Sequence, residues 1–315
     1  MSLSYRLLAG LVRLSGVKRV FRKPAAEILA YATRQNERKP FRPDRLRRRA
    51  ARKGYTCLLE DIAGYPCIRF QPCQSPQAEA ILYLYGGGMI TGPDRLDFSL
   101  AERLMARTGK DVWLPLYPLC LDQSVARAYT VSLAVYERML AIYPARGIRV
   151  LGFSSGAVLA LGIFLLNNDR GRPLPMPAQI IAVSPGGLPD PDRLEDQALL
   201  ADLARYSERD VLIDAAYFQT ARQILKREED LPAFMLDGCR GDFRDFPPTC
   251  FYYGSHECLY AYAPYFKAAY DRYRRPCQVI VGPGLCHCYP LMRFFKEGRA
   301  AQEEIIRRLQ HRLTD

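Results

Sequence analysis

Ile148-Arg149-Val150-Leu151-Gly152-Phe153-Ser154-Ser155-Gly156-Ala157-Val158-Leu159 carries an apolar, strand-like run (Ile148 to Phe153) straight into a helix-prone one (Ala157 to Leu166). Between them the chain reads G-x-S-x-G, Gly152 to Gly156. A strand, this turn and a helix in succession make a nucleophile elbow. The sharp turn lifts the Ser154 hydroxyl clear of the backbone, where a base can reach it. The flanking glycines let strand and helix approach with no Cβ between them. A serine hydroxyl is a weak nucleophile, so a neighbouring imidazole must activate it. The pattern alone also arises in ordinary Gly/Ser turns, and it needs partners elsewhere in the chain.

Upstream, Glu79 to Tyr85 reads as a buried strand that runs into Tyr85-Gly86-Gly87-Gly88. Three consecutive glycines after a strand leave bare N–H groups pointing into open space. Acyl transfer needs such donors where a tetrahedral oxyanion develops, together with the amide of the residue after the nucleophile. The competing reading is a flexible turn that closes a strand.

The chain has three histidines. His311 lies in a charged C-terminal stretch and reads as a solvated surface residue. His256 abuts Glu257 after the short strand Thr249 to Tyr253. His287 follows the strand Gln278 to Val281 and the turn Gly282-Pro283-Gly284-Leu285. A general base belongs in that loop in the chain order Ser, acid, His; a structural loop histidine is the alternative. The acid belongs in the loop after the preceding strand, and Gly254-Ser255-His256-Glu257 supplies it. Glu257 can turn back toward the imidazole, hold its tautomer and stabilise the imidazolium. Asp271, in a helix, and Asp245, in a loop before a strand, are the alternative acids.

Over roughly residues 80 to 295 the chain resembles the hormone-sensitive-lipase-like branch of the α/β-hydrolases, which carries an H-G-G-G oxyanion loop. The resemblance rests on Tyr85 to Gly88, followed by Thr91-Gly92-Pro93-Asp94, and on Leu116-Tyr117-Pro118-Leu119. It rests further on the elbow, on Gly254-Ser255-His256-Glu257-Cys258-Leu259 and on Cys286-His287-Cys288-Tyr289-Pro290. It implies Ser154 as nucleophile, Glu257 as acid and His287 as base, with Gly87, Gly88 and the Ser155 amide as the oxyanion hole. The family's loop histidine is Tyr85 here, and its hydroxyl is expected to brace the loop from a longer lever. The elbow reads Phe153-Ser154-Ser155 where the family often has Asp-Ser-Ala, and the family's Arg-Leu-Ala-Pro-Glu stretch is poorly kept. These departures bear on the substrate more than on the chemistry.

Strand-like runs alternate with helical ones, which argues for an α/β fold: a mostly parallel sheet flanked by helices. Strands are expected at Cys57–Asp61, Pro66–Gln71, Glu79–Tyr85, Asp111–Leu116, Ile148–Phe153, Gln179–Ser184, Thr249–Tyr253 and Gln278–Val281, the first ones pairing antiparallel at one edge. Helices are expected at Phe98–Thr108, Ser124–Ile142, Ser155–Asn168, Pro264–Tyr273 and Arg299–Arg312. With 49% hydrophobic and 25% charged residues the chain can bury a large core and is not a disordered one.

The net charge of +12 is uneven, because residues 1–53 hold sixteen Lys and Arg against Glu27, Glu37 and Asp44. Residues 54–315, the expected catalytic domain, are therefore near neutral. Leu3, Leu7, Leu11 and Leu14 recur at helical spacing in the basic segment, widened by Leu8, Val12 and Val17. By the resemblance, residues 1–53 form a helical cap over the site. A basic amphipathic helix lying on an anionic membrane surface is a compatible alternative. Nucleic-acid binding is disfavoured, since no aromatics interleave the charges and no binding motif is present. Arg13 interrupts the apolar stretch and no cleavage site follows, so no signal peptide is visible and a cytoplasmic location is expected.

Ten cysteines lie scattered without a C-x-x-C or a zinc spacing, and read as reduced thiols. Cys286-His287-Cys288 is not expected to hold a metal: neighbours in an extended loop point to opposite sides. By the resemblance, residues 188–248 form the second part of the cap and line the acyl pocket with Tyr217, Phe218, Phe234 and Met235; ordinary packing is the alternative. The resulting expectation is a serine carboxylesterase for short- to medium-chain acyl esters, working without cofactor or metal. Amide or peptide hydrolysis on the same triad is one rival. The other is a non-catalytic small-ligand receptor of the same fold, as in the plant gibberellin receptors, which lack the triad histidine.

Overall fold

A helical run opens the chain: α1 (Leu3–Ser15), α2 (Ala25–Arg38) and α3 (Pro43–Arg52). The hairpin β1 (Tyr55–Ile62) and β2 (Tyr65–Pro72) follows, then β3 (Ala80–Leu84), α4 (Arg95–Thr108), β4 (Asp111–Pro115) and α5 (Val125–Leu140). Next come β5 (Ile148–Phe153), α6 (Ser155–Asn168) and β6 (Gln179–Val183). Three helices, α7 (Gln197–Ser207), α8 (Tyr217–Lys226) and α9 (Ala233–Leu236), lie before β7 (Thr249–Gly254). The chain closes with α10 (Ala263–Arg272), β8 (Cys277–Gly282) and α11 (Lys296–Gln310). This computed structural model describes residues 1–73 and 78–311.

One eight-stranded sheet has the order β1-β2-β4-β3-β5-β6-β7-β8. β1, β2 and β4 pair antiparallel; every later pairing, from β3–β4 to β7–β8, is parallel. Every residue of β3, β5 and β6 is buried. Strands covered on both faces read as unbroken apolar runs, and parallel strands need such cover. Because β3, β5, β6, β7 and β8 run the same way, the loops after them meet along one edge of the sheet, where open α/β sheets place their ligands.

All eight expected strands are present within two residues of their expected ends, and the antiparallel pairing lies at one edge, as expected. Helix starts differ more. α4 begins at Arg95 and not at Phe98, because Asp94 accepts from Leu96 N–H while Asp97 accepts from Asp94 N–H, a reciprocal cap that starts the helix ahead of its first apolar residue. The last residue of the expected C-terminal helix, Arg312, lies outside the described residues.

The N-terminal stripe is also displaced. Tyr5, Leu8, Ala9 and Val12 are the face of α1 that packs on Leu285, Tyr289 and Phe295, with Tyr5 edge-on to Phe295 at 5.1 Å. Leu3, Leu7, Leu11 and Leu14 point to solvent instead, each more than 60% exposed. Much of the basic charge is absorbed locally. Arg49 and Lys53 bond Glu102, Arg22 bonds Asp214, and Lys18 donates to the carbonyls of Ser207 and Asp210. Among the described residues no helix is long and apolar enough to cross a membrane.

Candidate active site

β5 ends at Phe153, and Ser154 turns the chain into α6 at φ 52°, ψ −124°. A non-glycine residue at positive φ is strained, and it persists only where the surroundings hold it. Here the surroundings are backbone. A Cβ at Gly152 would meet Gly156 and Ala157, and one at Gly156 would run into the carbonyl oxygens of Leu84 and Tyr85. The glycines of G-x-S-x-G are thus required by the close approach of β5, α6 and the end of β3.

Ser154 Oγ lies 2.9 Å from His287 Nε2, and His287 Nδ1 lies 2.7 Å from Glu257 Oε2. The three side chains expected from the sequence are therefore together. An ionised carboxylate only accepts, so Nδ1 carries the ring proton and Nε2 is left to accept from the serine hydroxyl. Glu257 is fully buried, and its Oε1 accepts from Gly254 N–H at 2.8 Å and from the Ser184 hydroxyl at 3.0 Å. Ser184 Oγ in turn accepts from Cys288 N–H at 3.0 Å, tying the loop after β6 to the histidine loop. Cys288 sits in the left-handed region at φ 53°, with its sulfur 3.4 Å from His287 Nε2. Of the alternative acids, Asp271 pairs with Lys267 on α10, and Asp245 lies on a turn at φ 57°. His256 hydrogen-bonds Leu285 O through its backbone, and His311 caps the end of α11.

Gly87 (φ 121°) and Gly88 (φ 63°) follow β3. Their amides donate to no acceptor among the described residues. The Ser155 amide, at the first position of α6, has no carbonyl one turn back to bond. The loop is braced from three sides. Tyr117 donates its hydroxyl to Tyr85 O at 2.8 Å, Met89 N–H donates to Ser155 Oγ at 3.2 Å, and Asn36 of α2 clasps the far end. The Asn36 amide donates to Ile90 O and accepts from Gly92 N–H, both at 2.9 Å. Beside the brace expected from the Tyr85 hydroxyl stands one from its neighbour: Tyr85 stacks flat on Tyr117, centroids 4.3 Å apart, and the Tyr117 hydroxyl donates to the loop backbone. Tyr217 stands against Gly88, where a Cβ would come within 2.8 Å of its hydroxyl. Phe218, Phe234 and Met235 are buried, Phe234 against Tyr129 of α5.

A family model for the alpha/beta hydrolase fold matches residues 81–291. The chain belongs to the α/β-hydrolase fold family. Among curated proteins it is 31% identical over 127 residues to LipR of Mycobacterium tuberculosis (strain ATCC 25618 / H37Rv), a protein named for acetyl hydrolysis. That match covers 40% of this chain and 41% of LipR, so it spans about two-fifths of the relative's length. Solved structures extend over more of the fold. An esterase from the bacterial hormone-sensitive lipase family superposes at TM-score 0.79 with 17% identity, covering 100% of this chain and 99% of that one. EstE5 soaked with p-nitrophenyl butyrate gives 0.75 and 18%, covering 98% of each. At such identities the likeness is one of fold, and function is argued from the site. The resemblance carried by the glycine loop and the elbow is borne out.

Electrostatics in this α/β-hydrolase follow from burial. Desolvation raises the Glu257 carboxyl above its usual range, against the hydrogen bonds from His287 and Ser184 that lower it. On His287 burial opposes the charged ring, but the Cys288 sulfur and the Glu257 carboxylate outweigh it and hold the pKa well above 6.5. Burial, then Arg209 and Arg13, lower that of His256.

Proposed function

We propose that this α/β-hydrolase is a serine carboxylesterase acting on short- to medium-chain acyl esters through Ser154, His287 and Glu257. The observation that carries the reading is His287 within hydrogen-bond reach of both Ser154 and Glu257, beside the Gly87 and Gly88 amides, which have no acceptor among the described residues. Ser154 Oγ attacks the ester carbonyl while its proton passes to His287 Nε2. The oxyanion takes hydrogen bonds from the amides of Gly87, Gly88 and Ser155. The imidazolium then protonates the leaving alkoxide, which departs as the alcohol and leaves an acyl-serine. Water, deprotonated by His287, repeats the attack and releases the acid. Glu257 holds the tautomer, and Ser184 and Gly254 hold Glu257. No cofactor enters the cycle, and nucleic acid has no part in it. The names of LipR and of the soaked EstE5 support a short acyl group. A panel of p-nitrophenyl esters from acetate upward, beside matched anilides, tests the reading. Turnover that favours anilides over esters would replace it with amide hydrolysis, and no turnover of either would favour a receptor.

Activity should rise with pH. Acylation needs neutral His287, and a pKa held above 6.5 means that activity is lost as pH falls through that higher value. The kcat/KM profile on p-nitrophenyl acetate is expected to level off on the alkaline side, and Glu257→Gln to move the acid limb downward. A flat profile between about pH 5 and 8 would argue against a histidine base.

Residues 1–53 and 188–248 act as the cap in the same proposal. Support comes from the Asn36 clasp on residues 90–92, the edge contact of Phe21 with Tyr217 at 4.8 Å and the Arg22–Asp214 pair. Asn36→Ala leaves two part-buried backbone groups without their partner, each worth about 1 kcal/mol, the low end of the range because water can reach them. It should lower kcat/KM by about five- to thirtyfold. Unchanged kcat/KM across the ester panel would remove the clasp from the account. A cytoplasmic location accords with ten unpaired thiols.

A further inference from the structure

We infer that α1 is an interfacial anchor that docks the protein on the surface of an anionic lipid bilayer. The inference goes beyond the esterase reading and rests on the face of α1 that the fold leaves uncovered. Leu3, Leu7, Leu11 and Leu14 are 73%, 62%, 66% and 85% exposed. At 3.6 residues per turn they share an arc of about 80° along about 16 Å of helix. The fold has already used the other side, since Tyr5, Leu8, Ala9 and Val12 are packed on Leu285, Tyr289 and Phe295. Single exposed leucines need no explanation, but a continuous row of four on one helix does.

The charge beside the row selects the occupant. No acid precedes Glu27 in the sequence. Arg6, Arg13 and Arg19 are exposed and make no ion pair among the described residues. Glu297, in the first turn of α11, is tied to the amide and hydroxyl of Ser2 at the start of α1. A leucine row edged by unpaired arginines matches a bilayer surface, where the leucines enter the acyl boundary and the arginines meet anionic headgroups. A second copy of the chain fits poorly. In a two-fold contact the row would face itself and bring both sets of arginines together. α1 also packs on Leu285 and Cys286, next to His287, so docking would hold the catalytic edge of the sheet beside the lipid.

The test uses the full chain, and its deciding readout is vesicle binding, with turnover of a soluble ester as the control. Wild-type protein is sedimented with vesicles of phosphatidylcholine containing about 30% phosphatidylglycerol, and with vesicles of phosphatidylcholine alone. Partitioning onto the anionic vesicles should be at least about tenfold stronger, and should weaken as salt shortens the Debye length. Leu7→Ser/Leu11→Ser should lower it by about tenfold or more, while kcat/KM on soluble p-nitrophenyl acetate stays unchanged because both side chains face solvent. Three results would overturn the inference: no sedimentation with the anionic vesicles, equal sedimentation of wild type and variant, or equal binding to both vesicle types. A lipid-free wild-type dimer that the double variant converts to monomer would assign the row to a second copy and overturn it as well.

Discussion

Ser154→Ala should lower kcat on p-nitrophenyl butyrate by roughly three to six orders of magnitude, and His287→Ala by a similar factor, because triad members act as a unit. With the hydroxyl gone, the imidazole at 2.9 Å has no proton to take and no acyl-serine can form. With the imidazole gone, the hydroxyl keeps a pKa far above neutrality. What survives is the contribution of the oxyanion amides and of binding. Glu257→Gln should cost less than either, since an amide in the same place can still contact Nδ1 but favours the wrong tautomer. The double variant Ser154→Ala/His287→Ala should be no worse than the poorer single one. The measurement is steady-state turnover of purified protein together with thermal unfolding, so that a folding defect is separated from a chemical one. More than about a tenth of wild-type kcat in Ser154→Ala would sink the assignment.

Gly87→Ala should lower kcat by about two to three orders of magnitude, with a smaller effect on KM, because it removes oxyanion donors that act mainly in the transition state. Two independent features of the position require glycine. Its φ of 121° is a conformation that side-chain-bearing residues rarely adopt, and an added Cβ would come within 2.5 Å of Thr91 O. That oxygen is backbone, so no rotamer change relieves the overlap. Thr91 is also fixed to the same turn, its N–H donating to Gly87 O at 3.0 Å. The loop must therefore move as a whole, and the amides of Gly87 and Gly88 move with it. Gly54→Ala is a matched control: it too has positive φ, at 71°, but a Cβ there meets nothing within 4 Å. It should leave turnover intact. Wild-type kcat in Gly87→Ala would show that this loop does not hold the oxyanion.

Strands were legible in the sequence because a buried parallel sheet writes itself as unbroken apolar runs. β3, Ala80–Leu84, apolar and buried at every position, is its clearest case. Ser154, Glu257 and His287 were legible because chain order and strand ends constrain where each can sit. Features made by contacts distant in sequence were not. Nothing in the order of residues links Asn36 to Ile90 and Gly92, or Ser184 to Glu257 and Cys288, since each pairing exists only after the sheet has formed. The Tyr117 hydroxyl that braces the Tyr85 carbonyl was not legible for the same reason: the ring that stacks on Tyr85 lies 32 residues away in the chain. Helical spacing found the row of leucines in α1, yet spacing cannot tell which of two apolar faces a helix buries. Tyr5 and its edge contact with Phe295 turned the helix the other way.

The carboxylate of Glu257 is measured by its surroundings. One oxygen is pinned by Ser184 and Gly254, the other by His287, and the side chain has no exposed surface on which to adjust. Aspartate carries the same charge on a stem shorter by one carbon–carbon bond, about 1.5 Å. At the same backbone position it could not reach all three donors together. The identity of the acid and the path of the loop after β7 are therefore a matched pair, and exchange of glutamate for aspartate in this scaffold calls for a compensating shift of the loop that presents it.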